Sequence, residues 1–250
     1  MPYKYLIDKA LKLRQDTFNA FIEYGEAHLG GSFSIIEILI ALHEEVLTKE
    51  DKFILSKAHA SFPYCLYLRR NGFSPQITTH LEIDQENNIH CTTGSLGHGL
   101  PIGLGMALAR KIQNKQGNIY VMMGDGECQE GTTWESLLIA AKHKLDNLNI
   151  LLDYNKVQAL SAIEEVLPLD NLAEKFKAFN WNTIEINDGH SFDEILPLLQ
   201  QENLSLKPRV FIFNTIKGKG IKAFEGDPAW HARKIKGKEM EIGKKALGLV

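Results

Sequence analysis

The chain has 250 residues, of which 44% are hydrophobic and 24% are charged, and its formal net charge is −3. These values are typical of a globular protein, and the near-neutral charge argues against a nucleic-acid-binding surface. No run approaches the ~18 consecutive apolar residues of a membrane-spanning helix, and the charged, amphipathic N-terminus is unlike a secretory signal. The cysteines Cys65, Cys91 and Cys128 have neither metal-binding nor disulfide spacing. We therefore expect a cytoplasmic protein with no membrane or nucleic-acid partner.

Apolar residues recur at helical spacing in some segments and form short runs bounded by turn residues in others. In chain order, the predicted helices cover residues 3–24, 34–46, 60–70, 99–113, 132–143, 172–178, 192–201 and 238–247. The predicted strands cover residues 53–55, 118–123, 149–153, 182–187 and 209–214, and loops are predicted at 73–92, 160–167 and 218–230. This alternation predicts an α/β fold, a doubly wound and mainly parallel sheet with helices on both faces. Even spacing without a linker favours a single domain over residues 1–250.

Polar residues follow two predicted strands at the point where each strand ends. Gly124, Asp125 and Gly126 come directly after the strand at 118–123, and Asn155 follows the strand at 149–153. Ligands of open α/β sheets bind outside the carboxyl ends of the strands. Carboxylate and amide oxygens suit Mg²⁺, glycines let a phosphate approach the backbone, and the helix that begins near residue 132 favours an anion. Gly-Asp-Gly alone is more often a capped turn, but the pair of strand ends predicts a metal and diphosphate site.

This order of Gly-Asp-Gly, helix, strand and Asn is the thiamine diphosphate fingerprint, and through it the chain resembles the N-terminal, diphosphate-binding part of transketolase. Further segments match that family in order along nearly the whole chain: EAHLGGSFS at 26–34, DKFILSKAHA at 51–60, CTTGSLGHGLPIGLGMA at 91–107, EGTTWESLLIAAKHKLDNL at 130–148, DGH at 188–190, TIKGKGI at 215–221 and WH at 230–231. Leu29 stands where the family usually has Pro, and Ala58 where it usually has Gly. The substrate side therefore matches less closely than the cofactor side.

The resemblance implies a thiamine-diphosphate-binding fold and identifies the residues that would hold the cofactor. It assigns Mg²⁺ to Asp125, Asn155 and the backbone carbonyl of Val157. No cluster of Lys and Arg lies near the fingerprint in the sequence, so we expect the diphosphate to bind through the metal ion rather than through a basic patch. The other implied cofactor-binding residues are His59, Gly94, Ser95, Leu96, Gly124, Gly126, Glu127, Asn155 and His231.

Three histidines and one glutamate carry the catalytic assignments that the resemblance implies. His28 would contact the substrate, and His59 and His231 would contact the diphosphate. Glu130 would join a hydrogen-bond network at a dimer interface. Imidazole suits such contacts because it can donate and accept hydrogen bonds near neutral pH.

The remaining histidines and two lysines receive weaker assignments. Three histidines in helices or in the polar loop are expected to be solvated: His43, His80 and His143. His190, in the Asp-Gly-His turn, is expected to be structural. The sequence leaves open whether His98 touches a ligand, and it gives His90 no role. Lys217 and Lys219 either screen the diphosphate or form a solvated turn, and we slightly favour the turn.

In transketolases, the glutamate that activates the cofactor lies on a second, pyrimidine-binding domain. The chain ends at Val250, just after a predicted helix, so we expect the N-terminal subunit of a split transketolase rather than a shortened chain. The expected partner is a C-terminal subunit with the pyrimidine-binding domain, in an α2β2 heterotetramer that acts on sugars or sugar phosphates. Apolar residues behind Glu130 are candidates for the interface: Trp134, Leu137, Leu138 and Ile139.

The implied reaction moves a two-carbon ketol unit from a ketose to an aldose, and three alternatives remain open. They are the α subunit of a 2-oxo acid dehydrogenase, a related ketol transfer in surface-sugar or secondary metabolism, and a non-catalytic binding subunit. The segments AHLGG, SKAHA and TTGSLGHG count against the first, and the GSLGHG and DYNKVQ variants favour the second. A neighbouring gene for a pyrimidine-binding domain would count against the third. The sequence does not specify the donor or acceptor sugar.

Overall fold

A parallel sheet carries the fold. In the computed structural model, which describes residues 2–25, 28–159 and 161–250, its strands are β1 (Lys52–Leu55), β2 (Ile119–Gly124), β3 (Leu148–Tyr154), β4 (Asn182–Ile186) and β5 (Arg209–Asn214). They pair in the order β1-β2-β3-β5-β4, and every pair is parallel. The chain passes from β3 to the outermost strand β4 and returns through β5, so the strand order reverses beside β3. Ligands of open α/β sheets bind at such reversals.

Helices cover both faces of this sheet. They are α1 (Lys4–Tyr24), α2 (Leu29–Phe33), α3 (Ile36–Glu45), α4 (Ser61–Arg70), α5 (Gly99–Ile112), α6 (Gly131–Lys142), α7 (Ile163–Val166), α8 (Leu172–Ala178), α9 (Phe192–Leu199) and α10 (Lys238–Ala246). Helices α1, α3, α4 and α9 share one core with Tyr120 and Met122 of β2. Helices α5, α6 and α8 share a second core with Val121 and Met123. Successive strand residues point to opposite faces, so two covered faces account for the uninterrupted apolar run of β2. The predicted doubly wound fold is confirmed.

The helix predicted at 34–46 is α3, within two residues at each end, but the short helix α2 that precedes it was not predicted. The break lies at Ser34, whose hydroxyl donates to the carboxylate of Asp153 at 2.7 Å and to the carbonyl of Gly31 at 3.1 Å. A side chain that bonds the sheet in this way competes with a continuous helix. The loop predicted at 160–167 contains the short helix α7 instead, whose first turn carries Glu164 and Glu165. Leu160 lies outside the described residues.

The structure also bears on the expectation about membranes. Among the helices of the described residues, none combines the length and the apolar character that crossing a bilayer requires.

Candidate active site at the carboxyl edge of the sheet

A cavity of about 200 Å³ lies where β2 and β3 end, beside α2 and the segment after β5. Most residues predicted for the site line it: His59, Leu96, Gly124, Asp125, Gly126, Glu127, Glu130, Asn155, Val157 and His231. Two larger clefts, of about 740 and 700 Å³, contain none of these residues and are lined by residues such as Asn118 and Lys52, at the amino ends of β2 and β1. His90 lines one of them. We therefore take the smaller cavity as the candidate site, because the predicted residues converge there.

A buried ion pair lies beneath the cavity. The Lys57 ammonium donates to the carboxylate of Asp153 and, at 2.9 Å, to the carbonyl of Gly31. Both side chains are fully buried. Asp153 also accepts from the Ser34 hydroxyl and the Asn155 amide. Burial alone would raise the pKa of Asp153, but Lys57 and the hydrogen bonds from the Ser34 and Thr215 hydroxyls outweigh it and lower that pKa, so the carboxylate is ionised.

A second buried lysine, Lys217, reaches the same cavity. Its ammonium donates to the carbonyls of Val157 and Gln158, both at 2.9 Å, and lies 3.3 Å from Nδ1 of His231. Burial and the nearby Lys57 charge lower the pKa of Lys217 to about 8, although Asp125 and Asp153 act in the opposite direction. A Cβ at Gly30 would lie 2.7 Å from the Lys217 side chain, so the first glycine of α2 makes room for it.

Two expectations about positive charge are therefore wrong. Lys217 is buried rather than part of a solvated turn, whereas Lys219 is partly exposed. The fingerprint does have a cationic cluster beside it, because Lys57 and Lys217 both line the cavity. The cluster is not apparent in the sequence, because Lys57 follows β1 and Lys217 follows β5, far apart in the chain.

Asp125 is the acidic group of the cavity. Its two oxygens accept from the amides of Gly126 at 2.9 Å and Lys156 at 2.6 Å. Burial raises its pKa to about 7, and the nearby Asp153 carboxylate adds to this effect. A buried carboxylate beside another anion is stabilised in its charged form by a cation, so the electrostatics favour a metal ion here.

The oxygens assigned to Mg²⁺ lie on neighbouring parts of the cavity wall. Asn155 donates its amide NH₂ to Asp153 at 2.9 Å, and its amide oxygen accepts from the Val157 N–H at 3.1 Å. The Val157 carbonyl already binds a cation, the ammonium of Lys217. Carboxylate, amide and carbonyl oxygens are hard donors that fit Mg²⁺. The described residues contain no group of three His, Cys, Asp or Glu side chains that could hold a metal, which separates this oxygen set from a zinc-type site.

The glycines around Asp125 leave space on the cavity side. A Cβ at Gly126 would lie 3.6 Å from the Gln158 side chain, and one at Gly124 would lie 4.0 Å from the Lys57 side chain, both ordinary contact distances. Neither glycine has a positive φ. Packing and backbone strain therefore do not require glycine at these positions, but an approaching phosphate would, because a Cβ would fill the space beside the backbone.

Glu127 holds the loop at 94–98 against the Gly-Asp-Gly turn. Its carboxylate accepts from the Ser56 hydroxyl, from the Gly97 amide at 2.9 Å and from the Gly124 amide at 2.8 Å. Burial raises its pKa, and these hydrogen bonds offset part of the shift. Glu127 lines the cavity as a predicted cofactor-binding residue, but both of its oxygens are engaged within the chain. Its side chain therefore supports the loop.

The predicted loop residues are more open than the strand ends. Leu96 reaches the cavity with a side chain that is 38% exposed, and Glu130, just before α6, is exposed as well. Ser95 is exposed and does not line the cavity, and neither does Gly94, where a Cβ would lie 2.8 Å from the ring of His80. This side of the site faces solvent in the isolated chain.

The three histidines with predicted catalytic roles lie close together, and two of them, His59 and His231, line the cavity. Their ring centroids are 5.8 Å apart for His28 and His59, 5.6 Å for His28 and His231, and 5.4 Å for His59 and His231. Burial, together with nearby positive groups, lowers the pKa of His59 well below its ordinary value and that of His231 to about 4. Both rings are therefore neutral at pH 7 and can donate at one nitrogen while accepting at the other.

The other histidines divide differently from the prediction. His80 and His143 are exposed, as expected. His43 was expected to be solvated, which is wrong: it packs against the rings of Phe53, Tyr64 and Tyr67, and burial lowers its pKa to about 4. His43 lies in the last turn of α3, on the side that α4 covers with Tyr64 and Tyr67.

Of the histidines with open roles, His98 is exposed and bonds its own loop, at 3.0 Å from the Leu96 carbonyl. His190 lies in a buried hydrogen-bond chain, which agrees with a structural role.

The apolar residues behind Glu130 do not share one surface. Leu137 is buried against the sheet, and Trp134 packs on Phe179 of the α8 segment. Leu138 and Ile139 are exposed. These two alone of the predicted interface set present an open apolar surface on α6.

Sequence reasoning missed Lys57 and Asp153 as parts of the site. A signal was present for each. Asp153 is a charged residue inside an apolar strand, which predicts a buried and therefore paired carboxylate. Lys57 lies two residues after β1, at the same edge of the sheet as the fingerprint.

Known proteins resemble this chain throughout its length. Residues 9–250 match the family described as transketolase, thiamine diphosphate binding domain. An apulose-4-phosphate transketolase subunit of Actinobacillus succinogenes is 35% identical over 96% of this chain and 94% of its own. The 6-deoxy-6-sulfo-D-fructose transketolase subunit of a Clostridium species is 34% identical over 89% of each chain.

Solved structures agree in fold. The transketolase of Campylobacter jejuni matches with a TM-score of 0.84 and 24% identity over 98% of this chain. The match covers 43% of that protein, so this chain spans less than half the length of the solved transketolase. The family match and the full-length relatives together show that this chain belongs to the transketolase family and corresponds to its thiamine diphosphate binding domain.

Proposed function

We propose that this chain is the diphosphate-binding subunit of a split transketolase, which uses thiamine diphosphate and Mg²⁺ to move a two-carbon ketol unit between sugars. One observation carries the proposal. Three hard oxygen donors, from Asp125, Asn155 and Val157, and two buried ammonium groups, from Lys57 and Lys217, converge on one cavity. A divalent cation and a diphosphate satisfy these two sets together.

Each group of the cavity has a task in this proposal. Asp125, Asn155 and the Val157 carbonyl would hold Mg²⁺, and the open backbone at Gly124 and Gly126 would admit a phosphate. Lys57 would keep Asp153 ionised and so fix the amide of Asn155, which donates to that carboxylate at 2.9 Å. The protein would thus orient the metal ligands before the cofactor binds.

When bound, thiamine diphosphate supplies the stabilisation of a carbanion that side chains cannot provide. The residues of this chain would orient the substrate and handle protons around it. His28, His59 and His231 would bond hydroxyl or diphosphate oxygens, and the neutral rings of His59 and His231 would do so without a charge to desolvate. Leu96 would supply an apolar wall.

A second subunit would complete the site. The cavity of about 200 Å³ is smaller than the ~300–1,000 Å³ typical of ligand pockets, and Leu96 and Glu130 on its rim are open to solvent. We propose a C-terminal subunit with a pyrimidine-binding domain as the partner, in an α2β2 heterotetramer. The names of the full-length relatives, which are subunits of transketolases, support this assignment. We further propose that residues 1–250 form one domain and act in the cytoplasm, where the free and buried Cys65, Cys91 and Cys128 stay reduced.

A second candidate concerns the substrate. The two relatives named above carry apulose 4-phosphate and 6-deoxy-6-sulfo-D-fructose in their names. Their similarity extends over the whole chain, which supports a ketose donor outside the common sugar phosphates. Assaying ketol transfer with a panel of ketoses of both kinds would distinguish the candidates.

The test is a calorimetric titration of thiamine diphosphate into the chain together with its partner subunit. We expect binding with Mg²⁺ and a loss of more than about 100-fold with EDTA, because removing groups that merely orient metal ligands already costs about 10–100-fold. Asp125→Asn should behave like EDTA. Asp8→Asn, the same change on the exposed face of α1, should leave binding unaltered.

Two results would contradict the proposal. Equal affinity with and without EDTA would remove the metal from the site, and no binding under either condition would remove the cofactor. Ketol transfer by the isolated chain, without the partner, would exclude the split-subunit assignment.

A further inference from the structure

A buried chain of charged and polar groups connects α1 to the segment that carries Lys217. The Arg14 guanidinium donates to both oxygens of Glu37, at 2.7 and 2.9 Å. One of these oxygens, Oε2 of Glu37, also lies 2.9 Å from Nδ1 of His190. The backbone amide of Ile216 donates to Nε2 of His190 at 2.8 Å, and Lys217 is the next residue.

The hydrogen-bond pattern fixes the tautomer of His190. A backbone N–H can only donate, so Nε2 must be an acceptor, and the ring proton lies on Nδ1, where it donates to Glu37. Burial alone would raise the pKa of Glu37, but Arg14 and His190 outweigh it and hold that pKa at about 2. An ionised carboxylate therefore orients the ring, and the ring orients the amide.

The same groups touch the other end of the segment. Gly220 has a φ of +98°, and a Cβ there would lie 2.7 Å from the Arg14 side chain. The Gly218 amide donates to the Gly30 carbonyl at 3.0 Å. Ile216 is 38% exposed, so side-chain packing does little to hold this residue. The hydrogen bond from its backbone amide to His190 holds it instead.

We propose that His190, oriented by Glu37 and Arg14, is a positioning residue that sets the Lys217 ammonium at the diphosphate end of the cavity. The inference rests on the proposed function, because the proposed diphosphate is the anion that the Lys217 ammonium would bind. His190 touches neither the cavity nor the proposed metal ligands, and it acts through the backbone of Ile216.

Two substitutions separate the two hydrogen bonds of the ring. The amide of Asn lies at the position of Nδ1, so His190→Asn keeps a donor for Glu37 and loses the acceptor for Ile216. The amide of Gln reaches the position of Nε2, so His190→Gln keeps the acceptor for Ile216 and loses the donor for Glu37. The two variants are matched controls for each other.

Hydrogen exchange of residues 215–221 in the full chain is the first readout, and it needs no cofactor. We expect exchange in His190→Asn to be about 10-fold faster than in the natural chain, which is the worth of one hydrogen bond. In His190→Gln it should stay within about 3-fold of the natural rate. Equal acceleration in both variants, or in neither, would overturn the proposal, because a purely structural histidine would not distinguish them.

Affinity for thiamine diphosphate with Mg²⁺, measured with the partner subunit present, is the second readout. We expect His190→Asn to bind about 10-fold more weakly and His190→Gln to bind like the natural chain. Adding His190→Asn to Lys217→Met should cost little more than Lys217→Met alone, since both changes act on one ammonium group. Fully additive losses would overturn the proposal.

The two readouts keep this inference distinct from the proposed function. If the natural chain binds no thiamine diphosphate, the proposed function is wrong, and the exchange rates alone then decide whether His190 positions the Lys217 segment. If the natural chain binds the cofactor but both variants bind equally well, the function stands and the role of His190 is refuted.

Discussion

Lys57, Lys217 and Asp125 line the candidate cavity and are at most 4% exposed, whereas Leu96, which also lines it, is 38% exposed. The buried half consists of the strand ends and the two lysines. Lys57 has its partner within the chain, in Asp153, whereas Asp125 bonds only backbone amides. The exposed half consists of Leu96 and Glu130, whose side chains face solvent.

This difference indicates which part of the site a single chain completes. A buried charge is costly unless it is paired, so the pairing of Lys57 with Asp153 prepares this half before any ligand arrives, and Asp125 is left to bind a cation. The exposed half needs no such pairing, since water solvates Leu96 and Glu130 as it does any surface residue. We infer that the diphosphate end belongs to this chain and that another chain covers the wall formed by Leu96 and Glu130.

The largest effect should come from breaking the buried pair. Lys57→Met removes the ammonium and leaves the fully buried carboxylate of Asp153 without its cation. We expect a loss of ~3–5 kcal/mol in the free energy of unfolding, measured by urea denaturation of the chain.

The matched control is Lys222→Met, which makes the same change at a side chain that is 94% exposed and paired with Glu225. This surface pair should contribute less than ~1 kcal/mol. Similar losses in the two variants would show that burial does not separate the two regions as we infer.

A smaller effect should appear on acidification. The pKa of His231 in the folded chain is about 4, lowered by burial and by Lys217, against 6.5 as its ordinary value. Between these values the unfolded chain binds more protons, so stability is retained above pH 6.5 and falls as the pH drops toward 4. The ring is partly exposed, so we expect roughly 1 kcal/mol of this loss at pH 5 to come from His231.

Urea denaturation at pH 7 and pH 5 measures this loss. His231→Gln should reduce the difference between the two pH values, and His98→Gln, in the exposed loop, should leave it unaltered. A reduction of equal size in both variants would contradict the neutral state that we assign to the buried histidine.

The sequence predicted most of the fold because its signals are local. Periodicity over a few residues distinguishes a strand such as β5 from a helix such as α8, and both have the predicted bounds. The short helix α2 was not predicted, and the break that separates it from α3 is not a local feature. It depends on a hydrogen bond from Ser34 to Asp153, which lies 119 positions away in the chain.

The same distinction applies to the candidate site. Asp125 and Asn155 were predicted from residues that follow two strands, and the sheet register brings those strand ends together. The position of Lys57 after β1 places it at the right edge of the sheet, but nothing nearby in the sequence indicates that Lys57 or Lys217 is buried, because a lysine is buried only where a distant group pairs with it or makes room. Gly30 makes that room for Lys217, and Asp153, 96 positions away, pairs with Lys57. The resemblance to a family identified the cofactor, whereas only the structure shows the buried charges of Lys57, Asp153 and Lys217 beside its site.

The smallest effect on the stability of the chain should come from a change in the exposed half. There we expect the affinity for a partner subunit to change instead. Leu96→Ala should change the free energy of unfolding by no more than ~0.5 kcal/mol, because the side chain packs little within the chain. If a second subunit covers this wall, the same change should weaken the complex about 5-fold, measured by calorimetry with the partner subunit. Leu204→Ala, also exposed but outside the site, should alter neither quantity. A complex that tolerates Leu96→Ala as well as Leu204→Ala would mean that the partner does not cover this wall, and the exposed half would then be ordinary surface.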